Sequence, residues 1–217
     1  MAAFKKNKQY YSNSTWAVKN VREEMDAGLK LLKKIDNKIV TVFGGHKVVE
    51  GDYYYEHCKK VAFELGKRGY AIMTGGGSGI MEAANAGAMK AGALSVGLKA
   101  KLLKDEWVKD DIFTYQMAFH FLFVRRFILS IKSDALIFYP GGFGTLNELF
   151  EFATLMKTGI SDQVPIICVN KKFWKGMFKW LKDKPLKEGL LNKKDEDLKL
   201  LYLTDDLDEI LKIIENK

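Results

Sequence analysis

A short apolar segment, a glycine-rich turn and a helical pattern follow one another directly in the second half of the chain. Residues 134–139 have the length and composition of a buried parallel strand. Apolar residues then recur at helical spacing at Leu146, Leu149, Phe150, Ala153, Leu155 and Met156. Residues 140–148 therefore form a strand-to-helix turn, and in open α/β sheets such turns, at the carboxyl ends of strands, are where ligands bind.

The same alternation of strand and helix runs through most of the chain. Apolar segments predict strands at residues 39–43, 70–73, 93–98, 112–117, 134–139, 164–169 and 198–203. Helical spacing or small-residue content predicts helices at residues 20–34, 52–68, 80–90, 119–131, 145–158, 173–181 and 205–215. The pattern predicts an α/β fold: a Rossmann-like, doubly wound, mainly parallel sheet with helices on both faces.

No linker, repeat or low-complexity tract divides the chain into domains. Residues 1–19 are polar and lack periodicity, so we expect a loose N-terminal arm, with residues 20–217 as a single Rossmann-like nucleotide-binding domain. A chain of 217 residues with 47% hydrophobic content can bury one substantial core. It has no apolar run long enough to cross a bilayer and no signal-peptide core, so we expect a cytoplasmic protein without a membrane partner.

The cysteine, histidine and charge patterns narrow the functional classes. Cys58 and Cys168 fall inside predicted elements, and the three histidines lack metal-ligand spacing, so we expect neither a disulfide nor a metal site. The net charge is +8, but the lysines are scattered over almost every segment without interleaved aromatics. Nucleic-acid binding is therefore not expected. Of the four arginines, Arg125 and Arg126 are adjacent and lie just upstream of the glycine turn, where arginine suits phosphate recognition.

Two further glycine turns follow predicted strands. Gly44-Gly45 is explained equally well by an ordinary turn. The second run contains Gly75, Gly76, Gly77 and Gly79, and glycine costs about 0.5–1 kcal/mol relative to alanine in regular structure. We therefore expect the second run to let a ligand approach the backbone. It matches neither the P-loop nor the dinucleotide fingerprint.

The turn at residues 140–148 predicts a phosphate site. Gly141, Gly142 and Gly144 allow close approach of the backbone, and the helix that begins there offers unpaired N–H groups to an anion. The Thr145 hydroxyl lies in the first helical turn and can join those donors. Glu148, one turn further, either faces the sugar next to the phosphate or is an ordinary acidic residue near a helix N-terminus.

These residues carry a family resemblance. Residues 140–148, with the sequence PGGFGTLNE, fit the PGGxGTxxE signature of the LOG ("lonely guy") family, the cytokinin riboside 5′-monophosphate phosphoribohydrolases and their bacterial relatives. The family places a basic pair fifteen residues before the motif's proline, and Arg125-Arg126 stands there. Residues 74–85 resemble the family's first glycine motif. The likeness covers roughly residues 38–215 and is nearest to the longer bacterial members.

The resemblance implies an enzyme that hydrolyses the N-glycosidic bond of a nucleoside 5′-monophosphate to free base and ribose 5-phosphate. Carried over by position, Arg125 and Glu148 are the catalytic pair, and Arg126 and Thr154 are substrate contacts. Gly141, Gly142, Gly144 and Thr145 form the phosphate site, with the run at residues 75–79 as a second contact region. No metal or other cofactor is required, and the resemblance implies a homodimer.

Other functions stay open at this point. A carrier that holds a nucleotide or the molybdenum cofactor without cleaving it needs the phosphate turn but not Glu148, so the Arg125–Glu148 pair favours the enzyme. A lysine decarboxylase label attached to some relatives finds no recognisable pyridoxal-binding lysine here. His46-Lys47 replaces the small residue and arginine usual after the first strand. Cytokinin precursors, AMP and pyrimidine monophosphates therefore all remain candidate substrates.

Overall fold

The computed structural model of this chain describes residues 12–103, 108–192 and 198–216. Within them the helices are α1 (Ser14–Leu32), α2 (Tyr53–Lys67), α3 (Ile80–Lys90), α4 (Leu122–Ser130), α5 (Phe143–Lys157), α6 (Lys171–Leu181) and α7 (Leu207–Glu215). The strands are β1 (Ile39–Phe43), β2 (Ala71–Thr74), β3 (Ser95–Ala100), β4 (Tyr115–Phe119), β5 (Ser133–Phe138), β6 (Ile166–Cys168) and β7 (Leu201–Leu203). A 3₁₀ turn covers Asp110–Ile112 and a π-helical turn covers Lys182–Leu186.

The strands form one seven-stranded sheet in the order β4-β3-β2-β1-β5-β6-β7, and every neighbouring pair is parallel. The predicted fold class is therefore confirmed: a doubly wound α/β sheet. The order reverses between β1 and β5, so the chain winds outward from the centre in both directions. Ligands bind at such a reversal, beyond the carboxyl ends of the strands.

Helices cover both faces of the sheet, and each face has its own apolar core. On one face Val124, Leu149 and Phe152 pack beneath α4 and α5, together with residues of α1 and α6. On the other face residues of α2, α3 and α7 pack against Val40 and Ile137. Because both faces are covered, β1, β2, β3 and β6 are buried along their whole length, which explains why they are apolar runs in the sequence. The two edge strands, β4 and β7, are partly exposed.

The carboxyl ends of β1 and β5 meet at the reversal point. Phe43 is in register with Phe138, and the N–H of Gly45 donates to the carbonyl of Pro140 over 2.8 Å. The turn after β1 is thereby joined to the turn at residues 140–148. The predicted phosphate turn lies in the crevice that this fold uses for ligands.

Helix α1 corrects the prediction for the N-terminal arm. The helix begins at Ser14, and the side chain of Asn13 caps it by accepting a hydrogen bond from the N–H of Trp16 over 3.1 Å. The ring of Trp16 packs against the rings of His120 and Phe121, with centroid-to-centroid distances of 5.9 Å and 6.0 Å. The loose arm therefore does not extend through residue 19, because contacts with distant residues hold this polar stretch in a helix; residues 1–11 lie outside the described residues.

Some predicted strands have different bounds in the structure. The strand expected at residues 112–117 is β4 (Tyr115–Phe119), because Ile112 ends the 3₁₀ turn and its carbonyl accepts a hydrogen bond from Ser95 Oγ over 2.6 Å. The strand expected at residues 198–203 shortens to β7. Among the described residues no helix is both long enough and apolar enough to cross a membrane.

Candidate active site

A cavity of about 310 Å³ opens at the reversal point of the sheet. It has the size of a small-ligand pocket, for which about 300–1,000 Å³ is usual. The described residues that line it are Phe43, Gly44, Gly45, His46, Gly75, Met81, Leu103, Arg125, Gly142, Phe143, Gly144, Thr145 and Glu148. The structure therefore brings residues of all three glycine turns, Arg125 and Glu148 to one cavity.

The N-terminus of α5 points its backbone donors at this cavity. Gly142 is the N-cap and brings no side-chain oxygen, and the first turn contains no acidic residue. The first backbone bond of the helix runs from the N–H of Leu146 to the carbonyl of Gly142 over 3.1 Å. The amides of residues 143–145 precede that bond, and such amides have no intrahelical acceptor. Together with the helix dipole, amides of this kind can bind an anion.

Thr145 is fixed beneath the turn by its contact with Gly141. Thr145 is buried, and a Cβ added to Gly141 would collide with the Thr145 hydroxyl. Residue 141 must therefore be glycine for the hydroxyl to stand at the base of the turn. From there the hydroxyl can add one donor to the anion site formed by the backbone amides.

Arg125 is held by two backbone carbonyls across the sheet. Its Nε donates to the carbonyl of Leu98 over 2.5 Å, and one terminal nitrogen donates to the carbonyl of Gly75 over 3.0 Å. A Cβ on Gly75 would collide with the same guanidinium. The glycine thus makes room for the arginine, and the two carbonyls fix the orientation of its planar fork within the cavity wall.

Glu148 has an altered affinity for protons. Burial raises the pKa of its carboxyl from 4.5 to about 7, although the charges of Arg125 and Arg126 partly oppose that change. No described residue donates a hydrogen bond to this carboxylate. A cavity-facing carboxyl with a pKa near neutrality can take up and release a proton at the pH of a cell, as a general acid or base requires.

The other predicted site residues lie outside the cavity lining. Arg126 forms an ion pair with Glu151 on α5. Thr154 is exposed, and its hydroxyl donates to the carbonyl of Phe150 over 2.7 Å. Gly76, Gly77 and Gly79 are buried behind Gly75, where Gly76 packs against the side chain of Lys99 and Gly79 against the turn after β1. Substrate contacts at these five positions stay predictions.

The cavity also contains residues that motif reasoning did not select. Phe43, Met81, Leu103 and Phe143 make part of its wall apolar, and Phe143 is 92% exposed at its mouth. The signal for Phe43 and Met81 was their position within two residues of a glycine turn. Leu103 follows β3 and belongs to residues 99–111, a polar stretch that the sequence predicts as a loop able to border a pocket, although no motif singled out this leucine. Among the described residues no group of three or more His, Cys, Asp or Glu side chains could hold a metal ion.

Sequence comparison gives one family and a consistent set of relatives. A model of the family described as "Possible lysine decarboxylase" matches residues 81–214, more than half of the chain. Cytokinin riboside 5′-monophosphate phosphoribohydrolase LOG5 of Arabidopsis thaliana is 28% identical over 155 residues, which cover 71% of this chain and 68% of that protein. The cytokinin riboside 5′-monophosphate phosphoribohydrolase of Mycobacterium tuberculosis is 31% identical over 128 residues, or 58% of this chain and 68% of the relative.

Solved structures share the fold at lower identity. The molybdenum cofactor binding protein from Rippkaea orientalis has a TM-score of 0.60 and 21% identity, and the match covers 84% of this chain and 98% of that protein. DNA processing protein A from Streptococcus pneumoniae has a TM-score of 0.57 and 14% identity, with 83% and 63% covered. At these identities the likeness shows a common architecture that supports different functions.

Proposed function

Because this chain belongs to the LOG family, whose sequence model is described as "Possible lysine decarboxylase", we propose that it is a nucleoside 5′-monophosphate phosphoribohydrolase. The reaction is hydrolysis of the N-glycosidic bond, and the products are the free base and ribose 5-phosphate. One observation carries the proposal: an uncapped helix N-terminus, an oriented arginine and a carboxyl with a pKa of about 7 share one cavity.

The N-terminus of α5 is the proposed phosphate site. The amides of residues 143–145 and the hydroxyl of Thr145 supply hydrogen-bond donors for phosphate oxygens, and the helix dipole favours their charge. Glu148 lies one turn along the same helix, too far in to share the position of the anion. A phosphate at the first turn therefore puts the adjoining ribose within the reach of Glu148.

The proposed step breaks the bond between C1′ and the base nitrogen. The bonding electrons leave with the base, and positive charge develops on the ribose, as in glycoside hydrolysis. The Glu148 carboxylate stabilises that charge and accepts a proton from the water whose oxygen bonds to C1′. Arg125 keeps its proton, so its role is to position the nucleotide and to stabilise negative charge on the departing base, which takes up a proton.

The decarboxylase in the family description finds no support in this site. Pyridoxal-dependent chemistry needs a lysine that forms a Schiff base with the cofactor. None of the described residues that line the cavity is a lysine. The proposed hydrolysis, by contrast, uses only backbone and side-chain groups of residues that line the cavity.

The test is incubation of the full chain with a panel of nucleoside 5′-monophosphates: an N6-prenyl adenosine monophosphate, AMP, GMP, CMP and UMP. Free base and ribose 5-phosphate are measured together. We expect turnover of at least one substrate, and loss of turnover in Glu148→Gln with binding of the phosphate retained. Glu23→Gln is the matched control, because Glu23 is exposed on α1 and its carboxylate pairs with the exposed Lys19.

The carrier is the alternative that the same panel distinguishes. The structural relatives named above include a molybdenum cofactor binding protein, and a carrier would also use the anion site. Tight binding without release of base from any substrate would favour the carrier and refute the hydrolase. Turnover that survives Glu148→Gln unchanged would remove Glu148 from the mechanism.

We further propose a cytoplasmic homodimer. Large apolar side chains are exposed on α4, at the residue that follows it and on α5: Leu122, Phe123, Phe127, Ile131 and Phe150, each between 36% and 52% exposed. Apolar surface that stays exposed to water does not stabilise a monomer, whereas a second copy of the chain would bury these side chains. The cytoplasm suits a protein whose two cysteines are buried, unpaired thiols. Sedimentation of wild type and Phe123→Asp tests the dimer.

A further inference from the structure

Glu24 on α1 places a buried carboxylate against the start of α4. The residue is 5% exposed. Oε1 accepts hydrogen bonds from the backbone N–H of His120 over 2.7 Å and from His120 Nδ1 over 3.1 Å, while Oε2 accepts from the N–H of Phe121 over 3.2 Å. The Lys101 ammonium lies 3.6 Å from Oε1. A buried charge with this many partners is a specific arrangement, since an unpaired buried charge is costly.

These contacts cap the helix that carries Arg125. Phe121 is the N-cap residue of α4 and has no side-chain oxygen with which to cap it. Glu24 supplies a carboxylate from another helix instead, on the side where the dipole of α4 favours negative charge. The carbonyl of Phe121 accepts the N–H of Arg125 over 3.1 Å, which is the first backbone bond of α4. The peptide that Glu24 holds therefore leads directly to Arg125.

Helix α1 is itself held firmly enough to act as a brace. Gly28 packs so closely on α4 that a Cβ there would stand 2.7 Å from a side-chain carbon of Ile128. Trp16, about two helical turns before Glu24, contacts His120 and Phe121. The carboxylate thus sits between two fixed points of contact, and its position relative to α4 is set by the packing of α1.

From this geometry we propose that Glu24 is a positioning residue for Arg125. The inference rests on the proposed function, in which Arg125 contacts the substrate. The guanidinium is fixed at its far end by Gly75 and Leu98. Its backbone is fixed at the near end through Phe121 and Glu24. Glu24 lies outside the matched residues 81–214, so the family comparison does not assign it a role.

The first readout is the rate of the hydrolysis itself. Glu24→Gln keeps the shape of the side chain and one acceptor oxygen but loses the charge. We expect kcat to fall between about tenfold and about a hundredfold, since small misplacements of a catalytic group cost up to that much. KM should change less than kcat, because the phosphate site on α5 is untouched and Arg125 is the group that Glu24 positions. Glu23→Gln, one residue away and exposed, keeps the wild-type rate.

The deciding readout is a double-mutant cycle with Arg125→Lys. If Glu24 acts through Arg125, Glu24→Gln causes less than about a twofold further loss of kcat once Arg125 is replaced. A merely structural role predicts the same fold-loss in both backgrounds, and that result would overturn the inference. Thermal melts of all four proteins show whether each is folded at the assay temperature.

The two proposals fail in different ways. If the wild-type chain turns over no nucleotide in the panel, the proposed function is refuted, and the role of Glu24 is refuted with it before any variant is made. If the wild type is active and Glu24→Gln is equally active, the proposed function stands and the positioning role is refuted alone. If Glu24→Gln lowers kcat in the wild-type protein but not in the Arg125→Lys variant, both proposals are supported.

Discussion

Replacing Glu148 by glutamine should make the protein more stable while it abolishes turnover. The carboxyl has a pKa of about 7 in the folded protein and an ordinary value of 4.5. Folding therefore disfavours its charged form. At about 1.4 kcal/mol for each pKa unit, the difference corresponds to about 3 kcal/mol of lost stability whenever the group is ionised in the unfolded chain and in the fold. Glutamine fills the same space without a charge.

The stability that Glu148→Gln gains over the wild type should increase with pH. Between pH 4.5 and about 7 the folded protein binds more protons at Glu148 than the unfolded chain does. The free energy of unfolding of the wild type therefore falls as pH rises through this window and stays lower above it. Relative to wild type, Glu148→Gln should gain close to nothing below pH 4.5 and about 3 kcal/mol above about pH 7.

Urea unfolding of both proteins at several pH values between about 5 and about 8 measures this difference. The exposed control Glu23→Gln should show no such trend. A difference of stability that is constant over the range would mean that the Glu148 pKa is not raised by burial. A glutamine variant less stable than wild type at about pH 8 would mean that the carboxylate has favourable partners, and the reasoning about its environment would be refuted.

Four further outcomes test the site and its surroundings. The kcat/KM for the preferred nucleotide should rise with pH through about 7 as Glu148 ionises; a profile that is flat across this range contradicts the general-base role. Thr145→Val should raise KM for the nucleotide and leave the rate with the unphosphorylated nucleoside at its wild-type value, because the hydroxyl is proposed to contact the phosphate; steady-state assays on both compounds measure this. Gly75→Ala should lower kcat by at least about tenfold, since the new methyl collides with the Arg125 guanidinium. Gly176→Ala is the glycine control: a Cβ there meets nothing within 4 Å, so chemical unfolding should show a gain of about 0.5–1 kcal/mol with activity unchanged.

The glycine motifs show where sequence reasoning was sufficient and where it was not. Residues 140–148 were predicted as a strand-to-helix turn, and the structure places that turn at the N-terminus of α5. The run at residues 75–79 was predicted to admit a ligand. Only Gly75 of its glycines lines the cavity, and both it and Gly76 make room for side chains of this chain, Arg125 and Lys99. A glycine run predicts that another group approaches the backbone closely. It does not tell whether that group is a ligand or a side chain of the same chain.

The sequence by itself determined the order of strands and helices, the fold class and the family motif, because apolar periodicity and turn residues act over a few neighbouring positions. It did not determine every strand boundary. Nor did it predict that α1 begins at Ser14. That first part of the helix is held by contacts of Trp16 with residues more than a hundred positions away. Only the tertiary structure decided which residues share the cavity and which carboxylate caps α4. Glu24 and His120 are 96 positions apart, and the packing of α1 against α4 brings them together. Such contacts depend on strand order and helix packing, which no local pattern specifies.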